Sequence, residues 1–421
     1  MLNNRQGLCM DQGLISLLKV PGFLVTDVQI VEDEIIISVR KRAKMARCPH
    51  CLKKTKILKD YRNLSKILHM TLSLQKIYLS FRKRRFTCQR CKKVFTEKIP
   101  FIPAFSRSSI YVEKEALERL SDSNFNKTTK RFGVSYGKLT QLLKRAFSLE
   151  KIDWSSHVVE GKLRIGIDEH HFGKKYQYLT TIANLITRKP IHILTKCTKE
   201  EVKKFLLSFP KDVTEAIDEV VVDMRDSFIG AVKEALPNVH IVIDHFHIIQ
   251  DANKRVSEAR RIEEDVEEKV KGNGPKRIPF KLFTKNKEDL KGEQSKLLAF
   301  YKHRYPSLSV FYSCKEKLRD MYKAETKEEA EKLLTNLIKE MRITEYPELW
   351  LWAKTLTKYK PYILNYFDNH STNAVTEGLH RKFKLIQRQA FGFRNPEVYI
   401  RRVLLGCICL SFIFNKLYPH S

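Results

Sequence analysis

The chain has 421 residues, 43% of them hydrophobic, and carries 79 Lys and Arg against 48 Asp and Glu, a formal net charge of +31. That length accommodates two or three domains with cores of their own and excludes a disordered tail, while the charge exceeds what solubility needs and points to a polyanionic partner, nucleic acid or an anionic membrane surface. No apolar run reaches the roughly 18 to 20 residues needed to cross a bilayer and the N-terminus lacks an export signal, so the expected location is cytoplasmic, with no membrane partner.

The first 45 residues read as an N-terminal extension with a short apolar helix and a strand at Glu34 to Val39. The basic charge then concentrates: from Arg40 to Lys98 twenty Lys and Arg face only Asp60 and Glu97. Within this stretch Cys48-Pro-His-Cys51 and Cys88-Gln-Arg-Cys91 are separated by 36 residues of alternating, strand-like sequence. Two such knuckles bring four thiolates to tetrahedral reach, the layout of a structural zinc ribbon over residues 46–102, with His50 as an alternative ligand. In a chain without an export signal, the cysteines argue for metal and against disulfides. So small a β-unit has little core, and Zn²⁺ would supply its folding free energy. Arg82, Lys83, Arg84 and Arg85 between the knuckles suit phosphate contact.

Residues 103–150 turn helical. SNFNKTTKRFGVSYGKLTQLLKRAF reads as a short helix, a turn at Gly133-Val134-Ser135 and a second helix, the form of a helix-turn-helix. In such a unit the second helix enters the major groove, so Ser135, Tyr136, Lys138 and Leu139 at its start are the expected base readers.

From Leu163 strands and helices alternate. LRIGIDEHHF, YQYLTTIANL and PIHILTK read as three successive strands, followed by a helix at Lys199 to Ser208, the strand VVVDM, a helix at Ser227 to Ala235, the strand VHIVIDHF and a helix from about His247. A hairpin followed by α/β crossovers gives a mixed sheet with helices on both faces, and function in such sheets gathers at the carboxyl ends of the strands. Asp168, Asp223 and Asp244 are expected at those ends. Residues 250–365 are helical with a break at Gly272 to Pro279, either an insertion within the sheet domain or a coiled-coil partner domain.

Ser371 to Asn395 reads as one helix ending at Gly392. Val375, Leu379, Phe383, Ile386 and Ala390 form its apolar stripe. On the other side Glu377 stands in a row with His380, Arg381, Lys384 and Arg388; the plainest reading is a surface pair of Glu377 with Arg381. Val403 to Phe414 is expected to be a buried terminal helix.

Three acids at neighbouring strand ends would repel one another unless cations bind there, and Glu377 joins them if its helix packs across the sheet. Hard oxygen ligands with open positions suit Mg²⁺ or Mn²⁺, and two such ions about 3.5 to 4 Å apart stabilise an in-line displacement at phosphorus. The cations on the Glu377 helix would then hold a DNA backbone.

Asp168 in GIDEHHFG, Asp223 in VVVDMRDSF, DHFH at Asp244 to His247 and TNAVTEGLHRKFKLIQRQAFGFRN together resemble the ISL-three class of bacterial insertion-sequence transposases, which are similar to Mutator-like DDE enzymes. The knuckles, the RRFTC stretch and the helix-turn-helix match the class too. The resemblance implies an RNase H-like catalytic domain over residues 160–420 with an all-α insertion, and a metal-dependent recombinase that cuts and rejoins element ends. It implies an acidic triad of Asp168, Asp223 and Glu377 binding Mg²⁺, an accessory Asp244 and His247 pair, and an N-terminal region that reads terminal inverted repeats. Asn373 and Arg381 are candidates for the substrate backbone, and a homodimer or larger assembly on bacterial, nucleoid DNA is expected. The alternatives are a non-enzymatic DNA-binding regulator built on the ribbon and helix-turn-helix, a structure-specific RNase H-like nuclease, and an RNA-binding zinc-ribbon protein.

Overall fold

The computed structural model describes residues 13–72, 75–104, 106–147, 152, 154–173, 177–271 and 277–418. The chain divides into two units, one of Met1–Lys151 with Phe383–Ser421 and one of Ile152–Lys382. Among the described residues no helix is long and apolar enough to cross a membrane.

After a short helix at residues 13–17, as expected near the N-terminus, the first unit forms a hairpin of β1 (Phe23–Val31) and β2 (Glu34–Lys41). A small pair, β3 (Ala46–Arg47) and β4 (Lys54–Thr55), precedes the long hairpin of β5 (Leu58–Leu72) and β6 (Gln75–Thr87), and β7 (Val94–Thr96) pairs with the far end of β6. The main sheet runs β1-β2-β6-β5, with β2 and β6 parallel. Ile77, Leu79 and Phe81 alternate along β6 and are buried with Phe23, Ile37 and Val39, so one face of the sheet carries the core. Three helices follow: α1 (Ile110–Asp122), α2 (Phe125–Phe132) and α3 (Tyr136–Ala146). The turn between the last two lies where the sequence puts it, because Gly133 takes a left-handed φ of 62° that ends α2 and the Ser135 hydroxyl accepts from the Lys138 N–H to start α3.

The second unit is a five-stranded mixed sheet, ordered β10-β9-β8-β11-β12, covered by helices. β8 (Leu163–Phe172), β9 (Gln177–Asn184) and β10 (Lys189–Leu194) form an antiparallel meander, while β11 (Ile217–Val222) and β12 (His240–Ile243) join β8 in parallel. The crossovers are α4 (Lys199–Leu207) with the short α5 (Lys211–Glu215), and α6 (Asp226–Ala235). The expected element order holds, with α5 as an addition. Buried on both faces, β11 reads as the near-continuous apolar run that parallel central strands show.

After α7 (His245–Lys271) come α8 (Phe280–Thr284), α9 (Glu293–Arg304), α10 (Pro306–Met321), α11 (Lys327–Arg342), α12 (Pro347–Leu364) and the short α13 (Tyr366–Asn369). The expected break at Gly272 to Pro279 falls largely outside the described residues. These helices are no separate coiled coil: Leu308, Leu318, Leu334 and Trp352 are buried in the same cluster as Ile165, Val222 and Ile243 of the sheet. Next, α14 (Ala374–Gln389) passes from the second unit to the first at Phe383.

Back in the first unit, the run expected as a single terminal helix is two. α15 (Pro396–Cys407) and α16 (Leu410–Leu417) part at Ile408 and Cys409, whose extended backbones cannot continue a helix. Buried Arg402 on α15 donates to the carbonyls of Ser121 and Ser123, tying this segment to the end of α1.

Candidate functional site

Strand register sets out the acids. Ile167 pairs with Val222 and Val222 with Ile243, so Asp168, Asp223 and Asp244, each one residue further on, lie level across three neighbouring strands. Asp168 is not at a strand end as expected; β8 continues to Phe172 because its other edge pairs with β9. It stands instead where pairing with β11 stops. Ligand atoms of Asp168, Asp223 and His247 all lie within 4.8 Å of one another. His247 reaches the group because α7 starts immediately after β12, and its Nε2 is 2.9 Å from Asp223 Oδ1.

The electrostatics are those of a site short of positive charge. Burial, and then the neighbouring Asp223 carboxylate, push the Asp168 carboxyl well above the usual carboxylate range. Burial lowers the His247 imidazole, but the carboxylates of Asp223, Asp168 and Asp244 outweigh it and hold the imidazolium above its ordinary range. Asp244 is buried beside this group, with neither carboxylate oxygen hydrogen-bonded and His245 Nδ1 3.6 Å away. A buried carboxylate left so is costly. Two converging acids, a histidine and an unsatisfied third carboxylate fit a divalent cation, with Asp168 and Asp223 as its oxygen ligands.

The start of α14 is seated directly on β8. Asn373, buried, donates its side-chain amide to the Ile167 carbonyl at 3.2 Å. Gly166 makes room for it, since a Cβ there would stand 2.6 Å from Asn373 Oδ1. Asn373 therefore serves the scaffold and is not the substrate contact expected of it. One turn beyond Glu377, His380 places Nδ1 3.4 Å from Asp168 Oδ2 and Nε2 2.9 Å from the Thr181 hydroxyl, which also lies 3.0 Å from His170 Nδ1. His380 thus leaves the row of cations and turns inward. Glu377 sits half-buried between Asn373 and His380 on this face, outside the compact group of Asp168, Asp223 and His247. Among the ion pairs of the described residues there is none between Glu377 and Arg381. Arg381, Lys384 and Arg388 are exposed along the helix.

In the first unit the knuckles are two copies of one turn. Cys48 and Cys88 each accept from the N–H four residues on, at Leu52 and Lys92, and those two residues take left-handed φ values of 61° and 58°. Cys48 Sγ is 3.7 Å from Cys91 Sγ, and Cys51 Sγ is 3.4 Å from Cys88 Sγ. Tetrahedral Zn–S bonds of about 2.3 Å demand sulfurs roughly 3.8 Å apart. The four sulfurs fit a structural Zn²⁺, and His50 is exposed and outside the group.

The basic stretch sorts itself by pairing. Its two acids are both spent on expected phosphate binders: Glu97 holds Arg84 through Oε1 at 2.9 Å and Oε2 at 2.7 Å, and Asp60 holds Arg85 at 3.1 Å. Arg82 faces the same groove as Arg40, Arg42 and Lys44, none of them in an ion pair among the described residues, and Lys83 is half-buried. On α3, Leu139 is core and Lys138 is turned inward to buried Glu113 at 2.7 Å. Glu113 also accepts from Ser106, Ser108 and the Tyr418 hydroxyl. Ser135 and Tyr136 are the exposed residues among the four expected base readers, and since Ser135 is engaged as a cap, Tyr136 is the more available of the two.

A family model described as transposase, of ISL3 type, matches residues 165–403, and one described as the zinc-finger of transposase IS204/IS1001/IS1096/IS1165 matches residues 44–91. Over 392 residues the chain is 21% identical to the transposase for insertion sequence element IS1001 of Bordetella parapertussis, an alignment covering 91% of this chain and 94% of that protein. It is 24% identical over 264 residues, 58% of this chain and 59% of the other, to the transposase for insertion sequence element IS1557 of Mycobacterium tuberculosis.

Proposed function

The chain belongs to the ISL3 transposase family, and on that premise we propose that it cuts and rejoins the DNA ends of an insertion sequence at an acidic site built from Asp168, Asp223 and Glu377. The observation that carries the reading is the convergence of Asp168, Asp223 and His247 on two central strands of the sheet and the helix after β12, with the helix that bears Glu377 seated on Ile167, the residue before Asp168 on β8. Strand order and the acids' positions support an RNase H-like catalytic domain with the α7 to α13 region as its insertion. Asp168 and Asp223 would hold Mg²⁺ or Mn²⁺, with Glu377, about one helical turn from His380, completing the set. Such ions, when bound, stabilise charge on the attacking and leaving oxygens of a displacement at phosphorus.

The protein's own groups position the reaction. His380, fixed by Thr181, orients the Asp168 carboxylate; His247 does the same for Asp223. Arg381, Lys384 and Arg388 offer an exposed row for the DNA backbone. The zinc ribbon with α1 to α3 forms the end-recognition region, Arg82 and Tyr136 being its accessible contacts. Work on two ends requires a homodimer or larger assembly on DNA in the bacterial cytoplasm. Glu377→Gln is expected to lower end cleavage by about 10²- to 10³-fold while duplex binding persists, measured with labelled element ends in Mg²⁺. Undiminished cleavage removes Glu377 from the site, and cleavage that ignores end sequence favours the structure-specific nuclease. Metal-independent binding with no strand chemistry in the unaltered chain favours the regulator.

A further inference from the structure

A pocket of about 250 Å³ in the first unit is lined by Phe125, Tyr136, Phe391, Arg394 and Val398. Its base is apolar, since Phe125 and Val398 are buried. Its two sides are pinned together by Asn124, whose amide donates to the Gln389 carbonyl at 3.1 Å while its oxygen accepts from the Lys127 N–H at 2.9 Å and caps α2. The Tyr136 ring lies 4.7 Å from that of Phe125, inclined at 44°, and the residue is 54% exposed.

Phe391 is the anomaly. α14 closes with the Phe391 N–H on the Arg388 carbonyl and the Gly392 N–H on the Gln387 carbonyl, a Schellman closure. The residue at the position of Phe391 must be left-handed, and glycine is its usual occupant because it has no Cβ to strain. Here a phenylalanine takes φ of 57° and is 91% exposed. Phe393, two residues on, shows the ordinary alternative, packing its ring 5.2 Å from Tyr399. A strained backbone and an exposed aromatic ring both cost folding stability and return no packing; such outliers gather at functional sites.

The surroundings specify the occupant. Arg394 on the rim and Lys384 and Arg388 on the adjoining turns of α14 are exposed and, among the described residues, in no ion pair, so the pocket opens into a field suited to a polyanion. It is smaller than the roughly 300–1,000 Å³ of pockets that enclose drug-sized ligands, which leaves room for one flat ring system. We propose that this pocket receives one unpaired DNA base, stacked against Phe391 and Tyr136, with the phosphates flanking that base on Arg388 and Arg394. Stacking accepts any base, because every base presents a π face. The assignment rests on the reading of the chain as a DNA-end-processing protein.

The test uses the full chain and two duplexes carrying 2-aminopurine, one with the base paired and one with it as a single-nucleotide bulge. The bulged duplex is expected to bind about tenfold more tightly, with the 2-aminopurine fluorescence quenched by stacking. Phe391→Gly should bring the ratio of affinities close to one and relieve the quenching, with no fall in Tm because glycine is at ease in that left-handed position. Equal affinity for the two duplexes in the unaltered chain, or a preference that survives Phe391→Gly, overturns the base pocket while leaving DNA binding in place. A preference that survives while the variant's assembled mass falls on light scattering overturns it in favour of a contact between copies of the chain. Failure of both duplexes to bind overturns the underlying DNA reading and the pocket with it.

Discussion

Two clusters of potential ligands, the thiols of Cys48, Cys51, Cys88 and Cys91 and the group of Asp168, Asp223 and His247, each bring their ligand atoms within 4.8 Å of one another. Their foundations differ. The thiols share a core with little besides Phe86 and Phe95. The acids stand on strands whose Ile165, Ile167, Val220, Val222, Ile241 and Ile243 are buried in a cluster reaching to Trp352 on the helices beyond. A cluster with almost no core of its own needs an ion to be folded, whereas a cluster on a large core can hold like charges together without one. A metal held by the thiols would therefore be structural, whereas one held by the acids would serve to relieve charge.

Removing metal should separate the two most sharply. Stripping zinc with a chelator, or Cys88→Ser, is expected to unfold the ribbon, because structural zinc contributes on the order of 10 kcal/mol to such small units. Hydrogen exchange would show protection lost across β3 to β7 and retained in β8, β11 and β12. Equal loss in both would show that the ribbon has no private dependence on its metal. The acid cluster should respond in the opposite sense. Asp168→Asn replaces a buried acid that must take up a proton to sit beside Asp223, and is expected to stabilise the metal-free protein by about 1–2 kcal/mol.

That second effect carries a pH signature. The Asp168 carboxyl is raised above its unfolded value, so the folded state binds more protons and loses stability as pH climbs above the ordinary carboxylate range. The advantage of Asp168→Asn over the unaltered chain should grow in the same direction in thermal melts. Mn²⁺ affinity should rise with pH too, since the ion displaces the proton on Asp168 and faces an imidazolium on His247. An affinity flat across neutrality would mean that the ion binds elsewhere. The smallest expected effect is at the exposed cations: Lys384→Ala or Arg388→Ala should each weaken duplex binding uniformly and reduce the salt-dependence slope by about one.

Much of this was legible in the chain. The knuckles are local turns set by a few adjacent residues, so their spacing sufficed to pick out the four thiols that come together. Periodicity likewise announced β8, β11 and β12 and set Asp168, Asp223 and Asp244 just after their apolar runs, whereas the pairing of the strands decided that the three acids lie level and that β8 runs on past Asp168. Orientation was not legible. His380, Arg381 and Lys384 look alike as a basic row, yet His380 alone turns to Asp168, since that choice depends on Thr181 almost two hundred positions away. Lys138 and Arg84 likewise spend their charge internally on Glu113 and Glu97, partners remote in sequence.

By itself, then, the sequence determined most of the element order, the four thiols that cluster, the acids that stand level and the family, all properties carried by short-range pattern. Only the tertiary structure decided which polar groups face the site and which are consumed by the scaffold. It also decided that Phe391 stands strained and bare beside Tyr136. Side-chain direction and pairing are set by neighbours brought together through folding, and no spacing along the chain encodes them.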